Sequence, residues 1–191
     1  MKHSLTYAAI VAALSSATPL ALAQDVGYDD IKTGTLSGKL LVQWLEPDLF
    51  RFIPDRTNPL SFTRASGQRI SPEKMITDGG SIPRPMWILR SYSPWGFAPA
   101  YIVHDWLFEI KHCQYAGYDK LTLNDTALVM AEIMKTMIEK KKIDASSFTV
   151  IGMYLAVTSS IALKHWNEGK CSPPEPALFE PKPLHQFTLS F

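Results

Sequence analysis

The hydrophobic period of this chain changes once along its length. From Leu40 to Phe62 the apolar residues come in short or alternating runs, Leu40-Leu41-Val42, Leu49-Phe50-Arg51-Phe52-Ile53 and Leu60-Ser61-Phe62, separated by Pro47, Pro54 and Asn58-Pro59. Runs of that length bounded by turn residues read as strands. Ser66-Gly67-Gln68 reads as the turn into a further strand at Arg69 and Ile70. Pro83, Pro85, Pro94 and Pro99 then mark a long loop, after which apolar residues recur at helical spacing. Strand signals followed by helix signals, with no strand–helix–strand alternation, predict an α+β fold. Its N-terminal part is small, antiparallel and strand-rich, and its C-terminal half is helical, with about three helices.

The first helix is expected over about Ala98 to His112, with Pro99 suited to its opening turn. Gly117 interrupts the pattern, and Leu123, Ala127, Met130, Met134 and Met137 place a second helix at roughly Lys120 to Lys141. A third covers about Ala145 to Asn167, led by Asp144 as N-cap and closed by Gly169. Ala145 to Leu163 carries no charge for 19 residues, which approaches the length of a membrane span. Its Ser146, Ser147, Thr149, Gly152, Thr158, Ser159 and Ser160 instead suit a helix inside a bundle, so no stable transmembrane anchor is expected.

The N-terminus has the build of an export signal: a basic start at Met1-Lys2-His3, an apolar stretch from Leu5 to Leu14, and a small-x-small ending at Ala21-Leu22-Ala23. Cleavage after Ala23 gives residues 1–23 as signal peptide, 24–39 as a flexible, polar start and 40–169 as a single globular domain. Residues 170–191 form a tail in which Pro173, Pro174, Pro176, Pro181 and Pro183 exclude a compact element. Without Lys2 the mature chain has eighteen basic and eighteen acidic side chains, and that balance argues against a nucleic-acid partner. Export places the protein in the periplasm or outside the cell, where Cys113 and Cys171 can pair.

Three segments carry candidate chemistry: Thr77-Asp78-Gly79-Gly80-Ser81-Ile82-Pro83, His104-Asp105-Trp106-Leu107-Phe108, and Asn124-Asp125. The first puts a glycine pair behind a carboxylate, and glycine lets backbone carbonyls converge. The second sets a general-base candidate beside a carboxylate on an otherwise apolar helix, where a charged pair requires partners or a cation. Neighbouring helical residues diverge by about 100°, so His104 and Asp105 are expected to face different partners. Asp125 could lie level with His104 across antiparallel helices and fix its tautomer. It also fits a Thr-x-x-Asp capping box starting at Thr122. His112, seven residues after Asp105, suits the dipole at its helix end better than a metal.

The first two motifs together resemble a bacterial and phage domain family of unknown function whose members carry T-D-G-A-S-[IV]-P and H-D-[WY]-L-Y before a helix with an Asp. The likeness spans roughly Leu40 to Trp166. The order of the three segments is also similar to the site of secreted phospholipases A₂, particularly the small prokaryotic ones. That resemblance implies that His104 activates water and Asp125 orients it. Asp78 and Asp105 would bind Ca²⁺ together with a carbonyl near Gly79 or Gly80, and phospholipid or another ester would be the substrate. Calcium would then stabilise the oxyanion. Two departures stand out: Phe108 occupies the usual Tyr position, and Gly80 replaces a Cys. Trp87, Trp95 and Phe97 would form a lipid-facing rim. The competing expectation is a non-catalytic exported structural or interaction domain in which Asp78, His104, Asp105 and Asp125 form a buried polar network.

Overall fold

The computed structural model describes residues 26–45, 49–77, 96–171 and 182–191. Strands β1 (Thr35–Ser37), β4 (Ser61–Thr63) and β5 (Arg69–Ile70) form one antiparallel sheet in the order β1-β4-β5. A second antiparallel sheet has the order β6-β3-β2-β7, from β2 (Lys39–Leu45), β3 (Leu49–Pro54), β6 (Met75–Thr77) and β7 (His185–Ser190). Gly38 makes the corner between the sheets. Its φ is +96°, and a Cβ there would stand 2.2 Å from the carbonyl oxygen of Pro59, so only glycine fits without displacement. In the second sheet Val42 pairs with Phe52 and Phe52 with Met75, which stacks their side chains on one buried face.

Among the described residues four α-helices follow the first six strands: α1 (Ala98–His112), α2 (Leu123–Glu139), α3 (Ser147–Val157) and α4 (Ser160–Glu168). The α+β reading therefore holds, with one more helix than the pattern suggests. The expected third helix divides at Thr158 and Ser159. The Thr158 hydroxyl donates to the Tyr154 carbonyl, a back-bond that ends a helix, and Ser159 Oγ accepts from Ala162 N to cap the next one. The two pieces meet at a 49° bend. Helix α3 starts after Ser146, not after Asp144. No single helix among the described residues is long and apolar enough to cross a membrane.

Both ends of the domain extend beyond the expected 40–169. Ile31, in the supposedly flexible start, is 1% exposed and belongs to the core, and β1 lies at residues 35–37. At the other end β7 pairs with β2 from Lys39↔Ser190 to Trp44↔His185, so the last part of the proline-rich tail is a strand of the sheet. The prolines stop at Pro183, and the six residues from His185 have every N–H a ladder needs. A disulfide joins Cys113, at the end of α1, to Cys171, just past α4. It closes a 58-residue separation, worth about 4 kcal/mol by chain entropy.

The core runs from the sheets into the helical layer through Leu40, Phe52, Phe62, Val103, Met130 and Ile133. Helix α2 is its axis, buried over most of its length. A two-toothed ion pair ties it to the first sheet. Arg64 donates through Nε to Glu132 Oε2 at 2.7 Å and through Nη2 to Glu132 Oε1 at 2.8 Å.

Candidate active site on α1

Helix α1 is buried through its first three turns, from Ala98 to His104 and again at Trp106 and Leu107. Burial on so many sides makes each polar side chain there costly unless it finds a partner. Asp105 finds two. Its Oδ2 accepts a hydrogen bond from the hydroxyl of Thr77, the last residue of β6, and its Oδ1 lies 3.3 Å from Nδ1 of His104. The expectation that His104 and Asp105 face different partners is therefore corrected. Their Cβ atoms diverge around the helix, but both side chains are long enough to lean back toward each other, and the length of the contact reflects that reach.

His104 is 5% exposed, and among the described residues its buried Nε2 has no hydrogen-bond partner. A neutral imidazole that donates from Nδ1 to a carboxylate presents a lone pair at Nε2. The other such atom among the described residues, Trp44 Nε1 on β2, is a donor beside the rings of Phe50 and His185 and offers no basic site. The His104 ring packs 4.9 Å from Phe108, whose edge-on neighbour at 4.9 Å is Trp166 of α4. Helix α4 is held to α1 by that contact, by His112 Nε2 at 3.1 Å from the His165 carbonyl, and by the disulfide. His112 thus ties the end of α1 to α4.

Asp125 is elsewhere in chemistry. It is exposed, its backbone N–H donates to Thr122 Oγ1 at 3.1 Å, and Thr122 Oγ1 donates to its carboxylate at 2.6 Å. The charges it acts on are those of Arg64 and Tyr154: burial first, then the Asp125 carboxylate, raises the Tyr154 hydroxyl above its ordinary pKa. Among the described residues it makes no hydrogen bond to His104, and the carboxylate that faces the His104 ring is that of Asp105. The N-cap of α2 claims Asp125: Thr122 Oγ1 accepts from its backbone N–H and ties down its carboxylate.

Phe97 is fully buried at the N-cap of α1 and cannot belong to a lipid-facing rim. Trp87 and Trp95 lie outside the described residues, as do Asp78, Gly79 and Gly80. The hydroxyl of Thr77 is the participant that spacing did not single out, although it opens the Thr-Asp-Gly-Gly segment. A cavity of about 320 Å³ opens away from the site, between β1, the end of α2 and Phe191. Its Thr136 hydroxyl already serves Gly34 N and the Glu132 carbonyl, so it carries no comparable chemistry.

A family model described as "Protein of unknown function (DUF1353)" matches residues 57–157, a shorter span than Leu40 to Trp166. The matched region includes β4 to β6 and α1 to α3, with Thr77, His104 and Asp105. No curated protein and no solved structure matches the chain.

Proposed function

The chain belongs to the DUF1353 family, whose function is unknown, and we propose that Thr77, Asp105 and His104 are a general-base site for hydrolysis of a carboxylic ester. The observation that carries this reading is the buried Nε2 of His104, which has no hydrogen-bond partner among the described residues, beside an Nδ1 that faces a carboxylate. Folded proteins pair nearly all their buried polar atoms, so an orphan lone pair on a basic ring calls for a ligand that can donate to it. Water is the simplest one.

His104 Nε2 takes a proton from water as the water oxygen bonds to the ester carbonyl carbon. The carbon–oxygen bond to the leaving group then breaks, and the same proton passes to the departing alkoxide, giving acid and alcohol. Asp105 holds the ring and stabilises the imidazolium formed on the way. Thr77 fixes the Asp105 carboxylate. Export to the periplasm or beyond is part of the proposal and is supported by the Cys113–Cys171 disulfide, a bond of oxidising compartments.

Calcium fits the described part of the site poorly. The donors there are one carboxylate already engaged with Thr77 and His104, one hydroxyl and one imidazole, whereas Ca²⁺ takes six to eight oxygens. The rest of the expected shell, Asp78, Gly79 and Gly80, lies outside the described residues. The steps above therefore rest on the side chains alone, and calcium dependence is an arm of the assay.

The low exposure of His104 favours a second reading, a non-catalytic domain in which the same three residues are a structural network. Turnover of phospholipid vesicles and of simple aryl esters, with calcium and with chelator, separates the two. Under the hydrolytic reading His104→Asn lowers kcat/KM by about 10²- to 10⁴-fold while the melting temperature stays close to wild type. No turnover on either ester class, together with a melting temperature that falls in His104→Asn, selects the structural network.

A further inference from the structure

Helix α3 has an inner and an outer face. Thr149, Val150, Met153, Tyr154 and Val157 are buried, and Val150, Met153 and Tyr154 join the core. The outer face is apolar too: Phe148 is 84% exposed and Leu155, two turns on, is 54% exposed. Past the bend, Ile161 on α4 is 71% exposed. Large apolar side chains left exposed on two consecutive helices mark an interaction site.

The charges that flank this ridge in the chain say what covers it. No acidic residue occurs from Ala145 to Asn167. Lys140, Lys141 and Lys142 precede the ridge, all exposed and in no ion pair among the described residues, and Lys170 follows it. Residues 140–170 hold five lysines against two acids, in a chain whose formal charge is only +1, so the remainder of the chain is net acidic. A second copy of this chain meeting the ridge across a two-fold axis would bring lysines against lysines. An anionic bilayer neutralises them while its acyl boundary takes the phenylalanine and the aliphatic side chains.

We propose that the outer face of α3 and α4, with Lys140 to Lys142, docks this protein in the interface of an anionic lipid membrane. The contact is interfacial and does not span. Eleven residues of α3 extend about 17 Å, little more than half a hydrocarbon core, and the helix cannot leave the bundle without exposing Val150 and Met153. The 49° bend turns Ile161 onto a second helix, so the apolar ridge is shared by two short elements. This inference does not depend on the hydrolytic reading.

The test is flotation of the full chain with vesicles of phosphatidylcholine alone and with about one third phosphatidylglycerol, at low and high salt. Binding is expected to the anionic vesicles and to weaken with salt. The triple substitution Lys140→Gln, Lys141→Gln, Lys142→Gln should weaken it by about tenfold or more. Phe148→Ser with Leu155→Ser and Ile161→Ser should do the same. These side chains are on the surface, so both variants should melt with the wild type. Equal binding to both vesicle types, or binding untouched by either variant, overturns the proposal. So does a concentration-dependent dimer that Phe148→Ser abolishes without any vesicle binding. His104→Asn should bind vesicles like wild type, which keeps this result separate from the fate of the hydrolytic reading.

Discussion

Two polar groups at the edge of the core of this protein are built differently. Arg64 and Glu132 join the first sheet to α2, with side chains 15% and 6% exposed, and they satisfy each other through two parallel bonds. A third guanidinium nitrogen, Nη1, donates to Gln68 at 3.1 Å, and the Glu132 hydrogen bond raises the Arg64 pKa still further. His104 is as deeply buried but is satisfied on one side only. A closed network of charges is architecture, whereas a half-closed one keeps a binding capacity. The contrast teaches that burial alone does not tell a self-satisfied ion pair from a group with a bond left to make; what remains unpaired does.

The contrast breaks most severely at Glu132. Glu132→Ala leaves the half-buried Arg64 without its carboxylate and should cost about 2–3 kcal/mol in chemical denaturation. Arg64→Met combined with Glu132→Leu should recover most of that loss, because neither charge is then stranded. At the half-closed site, Asp105→Ala removes the acceptor that faces His104 Nδ1 and serves the Thr77 hydroxyl. The expected loss is about 1–3 kcal/mol, accompanied by loss of any esterase turnover. If Asp105→Ala keeps full turnover, His104 is not oriented by this carboxylate.

Asp125→Ala sharpens the comparison from outside. It should cost about 0.5–1 kcal/mol through the cap of α2 and leave turnover unchanged. A large fall in turnover would return to Asp125 the orienting role assigned here to Asp105.

The smallest effect is on the surface. Asp55 accepts from the Thr57 hydroxyl and from the backbone N–H groups of Thr57 and Asn58, and it pairs with Lys39 at 3.2 Å. The Thr57 hydroxyl first, then the two backbone donors and Lys39, hold the Asp55 carboxyl well below the usual carboxylate range. Because the folded pKa is the lower one, the unfolded chain binds more protons in acid. Its contribution is complete above the ordinary carboxylate pKa and fades as the pH falls toward the depressed one. Asp55→Asn should therefore lower stability slightly at neutral pH, with the difference from wild type closing as the pH falls, which flattens the acid limb of a stability–pH curve.

The sequence by itself determined the order of elements and several of their ends. Proline-bounded alternation marks the strands, helical spacing marks α1 and α2, and Thr122 with Asp125 marks the start of α2. These features are set by residues within one turn of each other, where backbone dihedrals and capping bonds act directly. Even the break between α3 and α4 is written locally, in Thr158 and Ser159, but a charge-free run of 19 residues hides it behind helical apolarity.

Only the tertiary structure decided which distant groups meet. Strand β7 finds β2 across some 140 residues, Thr77 reaches Asp105 from 28 residues away, and Arg64 reaches Glu132 from 68. The same holds for the exposed side of α3, since an apolar helix reads alike on every face until packing chooses which one to cover. Pairing at such separations depends on which surfaces bury together and on the angle at which they arrive, and neither is encoded in the spacing of neighbouring residues.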